Sequence, residues 1–270
     1  MVERELGLSA SGDLIGLCPA ITALRADIAM AARTQAKVLL IGEPGVGKHL
    51  VSRLIHQGGL RRDRRFVAVN CSGVPETLLE SELFGHVKGS FAGAYRDKTG
   101  LLRTAAGGTL LLDGLGEMSP RLQALLFRFT ETGDVQPVGA DRPRGQSDAR
   151  LLTATHRDLR ARIDAGAFGE DLYYRLNVIQ LHIPALRDRG DDVGILLHHF
   201  LAQAAAVHRR PVPALPVKTE TRLLAYGWPG NVRELKNVAE RLVINGGGTP
   251  RLLDGVPGGR RGRVNRGTYQ

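Results

Sequence analysis

The sequence predicts an α/β fold: a five-stranded parallel sheet sandwiched by helices, followed by a small C-terminal helical domain. Three observations carry this. Five short apolar runs alternate with stretches of helical periodicity, as a parallel sheet with crossover helices requires. The first run leads straight into a glycine-rich turn and then a helix. After Pro184 the strand-like runs stop and only helical patterns continue.

The strands are expected at 38–41, 66–70, 109–113, 151–155 and 178–183. Leu50, Val51, Leu54 and Ile55 share one face of a helix that starts near His49. Ser119-Pro120 supplies an N-cap and a proline at the first helical position, opening a helix to about Thr130. A helix over 157–165 is expected to stop at Gly166. Beyond Pro184, segments 191–207 and 219–226 read as helices, and Asn231 reads as the cap of a third helix to about Val243. The expected organisation is an N-terminal tail over 1–13, an α/β domain over 14–183, a helical domain over 184–246 and a basic, disordered tail over 247–270.

Composition excludes several classes. At 43% hydrophobic and 24% charged residues the chain is too apolar to be disordered over most of its length. No run of 18 uncharged apolar residues exists, so no membrane partner is expected. The charged N-terminus has no apolar stretch behind it, which argues against a secretory signal. Cys18 and Cys71 lack ligand spacing and read as buried thiols, which gives a cytoplasmic expectation. The net charge of +10 is concentrated in Arg61-Arg62-Asp63-Arg64-Arg65 and in the five arginines of 251–270. These read as solvated loops, since charge alone establishes no DNA binding.

The chemistry concentrates at Gly42-Glu43-Pro44-Gly45-Val46-Gly47-Lys48, a Gly-x4-Gly-Lys turn between strand and helix. Glycines there let backbone N–H groups wrap a phosphate, the helix N-terminus adds partial positive charge, and the lysine reaches the outer phosphates. His49 replaces the Ser/Thr whose hydroxyl usually serves magnesium. About 65 residues further on, Gly107-Gly108-Thr109-Leu110-Leu111-Leu112-Asp113 is an apolar strand ending in a carboxylate. A carboxylate at the C-terminal edge of a parallel sheet faces the nucleotide crevice, where it can serve magnesium.

With these motifs stand Glu82-Leu83-Phe84-Gly85-His86, Gly89-Ser90-Phe91-Ala92-Gly93-Ala94, Asp171-Leu172-Tyr173-Tyr174-Arg175-Leu176-Asn177 and Trp228-Pro229-Gly230-Asn231-Val232-Arg233-Glu234-Leu235. The set, in this order, resembles the AAA+ module of sigma-54-dependent transcription activators from Asp13 to Glu240. The resemblance implies a P-loop AAA+ fold, ring oligomers with ATP and Mg2+ between subunits, and a loop that engages sigma-54 RNA polymerase holoenzyme. By position, Lys48 and Asp113 would bind phosphate and magnesium. Ile15 would pack the adenine, Asn70 would restrain the catalytic glutamate, Arg175 would be an arginine finger and Arg233 a sensor in the helical domain. Phe91, within the loop Gly89–Ala94, would touch sigma-54.

Five matched positions depart from the family pattern. Gly114 follows Asp113 where the family has glutamate, the residue that polarises the attacking water. Losing such a base costs about 10²–10⁴ in rate. Phe168-Gly169 stands where the family has Phe-Arg, and a missing finger costs around 10³–10⁵. His156 replaces the first-sensor asparagine, His49 replaces a glutamate, and Ala92 replaces the threonine of the sigma-contacting loop. The resulting expectation is an ATP-binding, sigma-54-interacting module in a homo- or hetero-oligomeric ring, with impaired hydrolysis, weakened polymerase contact through Ala92 and no dedicated DNA-binding domain. Two alternatives stand beside it: an active ATPase that remodels sigma-54 polymerase, and a decayed remnant of a longer activator.

Overall fold

A computed structural model describes residues 13–246. The expected N-terminal tail up to residue 12 and the basic tail 247–270 lie outside these residues. In chain order the elements are α1 Pro19–Ala32, β1 Val38–Ile41, α2 Lys48–Gln57, β2 Phe66–Asn70, α3 Glu76–Phe84, β3 Gly85–His86, β4 Lys98–Thr99, α4 Leu101–Thr104 and β5 Thr109–Asp113. They continue as α5 Pro120–Thr132, β6 Arg150–Thr155, α6 Leu159–Asp164, α7 Glu170–Leu176, β7 Ile179–His182, α8 Asp192–His208, α9 Val217–Leu224 and α10 Asn231–Ile244. The chain forms two compact units, divided between Ala185 and Leu186.

The first unit holds a parallel five-stranded sheet in the order β2-β5-β6-β1-β7. Alternate residues of each strand point to opposite faces, and both faces are covered. Leu39, Leu110, Leu112 and Leu151 face a core built with α3, α5 and α7. Val38, Leu40, Leu111, Leu152 and Ala154 face a second core with α1 and α2. A sheet buried on both sides needs continuous apolar runs, which is why Val38-Leu39-Leu40 and Leu110-Leu111-Leu112 carry no polar residue. The paired ends Ile41↔Thr155, Asn70↔Asp113 and Asp113↔Ala154 bring four strand termini to one edge.

Three local expectations are corrected. The helix read over 157–165 is shorter, because the Asp158 carboxylate accepts from the backbone N–H groups of Arg160 (2.9 Å) and Ala161 (3.1 Å) and so starts α6 at Leu159. Asn231 does not cap α10: its side chain accepts from the Leu186 N–H at 2.8 Å, and Glu234 instead reaches back to the Gly230 N–H at 2.8 Å. Arg61 is not simply solvated. It donates to the carbonyls of Gly108 (3.0 Å) and Asp148 (2.7 Å), fastening the loop before β2 to the neighbouring strands' entry.

The second unit contains α8, α9 and α10, with Leu196, Leu197, Leu201, Leu235, Val238 and Leu242 buried. Trp228 is fully buried and its indole N–H donates to the Leu223 carbonyl at 3.1 Å. Much of the Trp228–Leu235 motif therefore builds the α9–α10 turn.

Candidate nucleotide site

The turn between β1 and α2 sits at the carboxyl edge of the sheet, beside β6, where the Gly42 N–H donates to the Thr155 carbonyl at 3.2 Å. Gly42 is required by packing, since a Cβ there would lie 2.9 Å from the Ile183 carbonyl oxygen. Gly45 and Gly47 adopt φ of 83° and 106°, and a Cβ on Gly47 would find no atom within 4 Å. That backbone belongs to glycine. Val46 points into the core below the turn. Lys48, the first residue of α2, is buried, with its ammonium donating to the carbonyls of Gly42 (2.8 Å) and Glu43 (3.0 Å). Pro44 lies at the exposed crest of the turn. His49 follows on α2 and meets the Phe66 ring edge-on at 5.9 Å.

Asp113 ends β5 at the same edge, and His156 immediately follows β6, between the phosphate turn and Asp113 in strand order. The His156 imidazole lies 3.7 Å from Glu117, whose carboxylate also accepts from Arg157 at 2.7 Å. That hydrogen bond, with the neighbouring positive charges behind it, holds the Glu117 carboxyl below the usual carboxylate range. Glu117 belongs to a single tight turn, 115–117, past the strand end. It is engaged there as an ion-pair partner.

The backbone at Gly114 explains more than the missing carboxylate. Its φ of 83° and ψ of 32° place it in the left-handed region, and an added Cβ would lie 2.2 Å from Ser72 Oγ. The Ser72 backbone is ordered by its N–H donating to Asn70 Oδ1 at 2.9 Å, while the Cys71 N–H donates to the Asp113 carbonyl at 2.7 Å. Asn70, read as the restraint on a glutamate, thus has its side-chain oxygen turned to the backbone of its own loop. Burial, reinforced by the Asp113 charge, pushes the Cys71 thiol up to about 12.

Gly169 caps α7 and its N–H donates to Gln123 Oε1 at 2.8 Å; the same Gln123 amide donates to the Met118 carbonyl at 2.9 Å. Arg175 lies at the other end of α7, exposed, within electrostatic reach of Lys37 at the entry to β1. Partial burial, and after it the Arg175 charge, hold the Lys37 ammonium below the usual lysine range. The phosphate turn leaves the other end of β1, and four residues of strand span about 13 Å. Arg175 is therefore not brought to the phosphate turn of its own chain.

Ile15 is half-buried between Leu14 and Gly16, and Leu14 packs in the same core as Val46. Arg233 is exposed near the start of α10 in the second unit. The segment Gly89–Ala94 projects from the β3–β4 hairpin. Gly89 and Gly93 have positive φ, the Gly89 N–H donates to the Ala94 carbonyl at 2.8 Å, and Ala94 is buried. Phe91 is 41% exposed with its edge against His86, and Ala92 is exposed at the tip. Ser90 Oγ is buried below, where Gly139 leaves room for it.

Sequence reasoning missed Ser72, Arg157 and Lys37. The pairing of Asn70 with Asp113 places residues 71–72 beside Gly114, so the strand register was the signal that could have exposed Ser72.

Comparison with known proteins agrees with this geometry. The sigma-54 interaction domain family model matches residues 14–182, and an AAA+ ATPase lid domain model matches residues 187–254. The transcriptional regulatory protein ZraR of Escherichia coli (strain K12) is 44% identical over 231 residues, covering 86% of this chain and 52% of that protein. The response regulator protein PilR of Pseudomonas aeruginosa is 46% identical over 228 residues, covering 84% of this chain and 51% of that protein. The crystal structure of NtrX from Brucella abortus in complex with ATP superposes with a TM-score of 0.80 at 33% identity, covering 88% of this chain and 54% of that one. The chain spans about half the length of the curated relatives it matches. Among the described residues no helix is long and apolar enough to cross a membrane. By its folded sheet, its phosphate turn and these matches, the chain belongs to the sigma-54 interaction domain family and carries that family's AAA+ module.

Proposed function

We propose that this chain is an ATP-binding, sigma-54-interacting module of transcription regulation in which ATP hydrolysis is impaired. The observation that carries the reading is Gly114: no carboxylate follows Asp113, and the left-handed backbone there, with Ser72 Oγ over it, suits glycine. A triphosphate fits the rest of the site. Gly45 and Gly47 supply the concave backbone, Lys48 the cation, and Asp113 the carboxylate that would hold magnesium. Magnesium, when bound, neutralises charge across the outer phosphates. NtrX, a relative at 33% identity, has a structure in complex with ATP, which supports nucleotide binding here.

Within this reading Ile15 lies against the adenine, His156 donates a hydrogen bond toward the outer phosphate, and Arg233 keeps the sensor role that its motif implies. Asn70 keeps the 70–72 loop in place rather than restraining a glutamate. Arg175 serves a neighbouring copy in a ring, homo- or hetero-oligomeric, because it acts on Lys37 at the entry to β1 while the phosphate turn leaves the other end of that strand. The finger at Gly169 is absent. Phe91 is the contact toward sigma-54 RNA polymerase holoenzyme, and Ala92 weakens that contact by removing a hydroxyl at the exposed tip.

The test pairs equilibrium titration of labelled ATP with a turnover assay on the same sample. The expected result is saturable binding that Lys48→Ala abolishes, with phosphate release near background. A chain indifferent to ATP under magnesium would defeat the binding claim. Rapid phosphate release by the unmodified chain would defeat the claim of impairment and favour the active-ATPase alternative.

A further inference from the structure

Arg25 sits on α1, between the buried Leu24 and Ile28, yet its guanidinium is turned toward the chain that precedes the helix. One terminal nitrogen donates to the Leu14 carbonyl at 2.8 Å and also to the Gly16 carbonyl. These two carbonyls flank Ile15. Among the described residues no carboxylate pairs with Arg25, so its charge is spent on ordering this backbone. Gly16, at φ 143°, takes a conformation that side chains rarely adopt and lets its carbonyl turn back toward the arginine. Leu14 anchors the other side of the clasp in the core that holds Val46 of the phosphate turn together with Ile21 and Leu24 of α1. The segment 14–16 is therefore fixed in relation to the phosphate turn by one apolar contact and one charged clasp.

We propose that Arg25 is a positioning residue for the nucleotide base: by holding the carbonyls on both sides of Ile15 it fixes the apolar shelf on which the adenine rests. This deepens the reading above, since it requires a triphosphate at Lys48 with its base directed toward Ile15. Arg25 touches no phosphate in this arrangement. Its effect falls on the base-dependent part of affinity alone. Hydrogen bonds to a charged group are among the stronger ones in proteins, and losing the clasp is expected to weaken ATP binding about tenfold.

The experiment measures magnesium-dependent binding of ATP and of inorganic tripolyphosphate to the full chain and to Arg25→Ala and Arg25→Lys, with thermal unfolding recorded for each. ATP affinity is expected to fall about tenfold in Arg25→Ala and to recover in part in Arg25→Lys, whose ammonium still reaches a carbonyl. Tripolyphosphate affinity is expected to stay unchanged in both. Equal weakening of the two ligands, or no change in either, would overturn the proposal, and so would an unmodified chain that prefers tripolyphosphate to ATP. Failure of the unmodified chain to bind either ligand would instead overturn the phosphate-site reading, and this proposal with it.

Discussion

Restoring the missing glutamate is the most informative perturbation, because the structure says it will not be accepted as a simple swap. A residue other than glycine at position 114 must keep φ near 83°, where an L-residue loses about 1–2 kcal/mol. Its Cβ must also turn Ser72 Oγ away from 2.2 Å, and a side chain forced out of its preferred rotamer costs about 0.5–1.5 kcal/mol. The sum, about 1.5–3.5 kcal/mol, corresponds to a fall in Tm of roughly 3–14 °C for a domain of this size. Gly114→Ala should show nearly the same loss as Gly114→Glu, because both terms arise at Cβ. Adding Ser72→Ala removes the 2.2 Å contact and leaves the backbone nitrogen of residue 72 at 3.3 Å and its Cβ at 3.4 Å. The double variant Gly114→Glu with Ser72→Ala should therefore recover most of the Ser72 share and keep the backbone share. Thermal unfolding followed by circular dichroism reads these differences, and turnover on the same samples should rise more in the double variant than in the single one. If Gly114→Glu alone keeps the unmodified Tm and hydrolyses ATP rapidly, the steric reasoning is refuted.

Three further outcomes follow from other parts of the structure. Gly169→Arg should leave Tm unchanged, since φ is −75° and the nearest atom to an added Cβ is 3.8 Å away; a marked destabilisation would contradict that reading. His56 is buried between α2 and β5 with Nδ1 2.9 Å from the Thr109 hydroxyl, and burial holds its imidazole below the usual histidine range. Its folded pKa is lowered, so its contribution is full above about pH 6.5 and is lost as pH falls below that; His56→Gln should flatten this part of a stability profile measured between pH 7 and 5. Cys71, with its thiol pushed up to about 12, should resist alkylation at pH 8 in the folded protein and label only on denaturation. Native-state labelling of Cys71 would contradict the burial.

The sheet was legible because a parallel strand covered on both faces has to be an unbroken apolar run. The segments 38–41, 66–70 and 109–113 stand where the sequence places them, and the other two strands differ only at their ends. Helices were legible where a cap or a strong stripe marked them. Ser119 does accept from the Leu122 N–H, at 3.3 Å, as its position before Pro120 implies. The helices α1, α3, α4 and α7 were not read, α4 being a single turn. Helices α1 and α3 start without a side-chain cap, and the seven residues of α7 are too few for a period to register.

At the site, the types and order of residues were readable, but their mutual obligations were not. Asn231 has the chemistry of a cap, yet a backbone N–H 45 positions away claims its oxygen. Gly114 announced the loss of a base in one letter. That its backbone is left-handed and that Ser72 fills the vacated space depends on β2 lying beside β5, a pairing between segments some 40 residues apart in the chain.

The central claim is that a triphosphate held at Lys48 meets no group able to activate water. The direct measurement is a chase experiment: radiolabelled ATP is bound with magnesium, excess unlabelled nucleotide is added, and the bound label is analysed over time at several protein concentrations so that assembled rings are sampled. The account requires label to leave as intact ATP, with conversion to ADP no faster than in a Lys48→Ala control. Label leaving as ADP ahead of dissociation would contradict it.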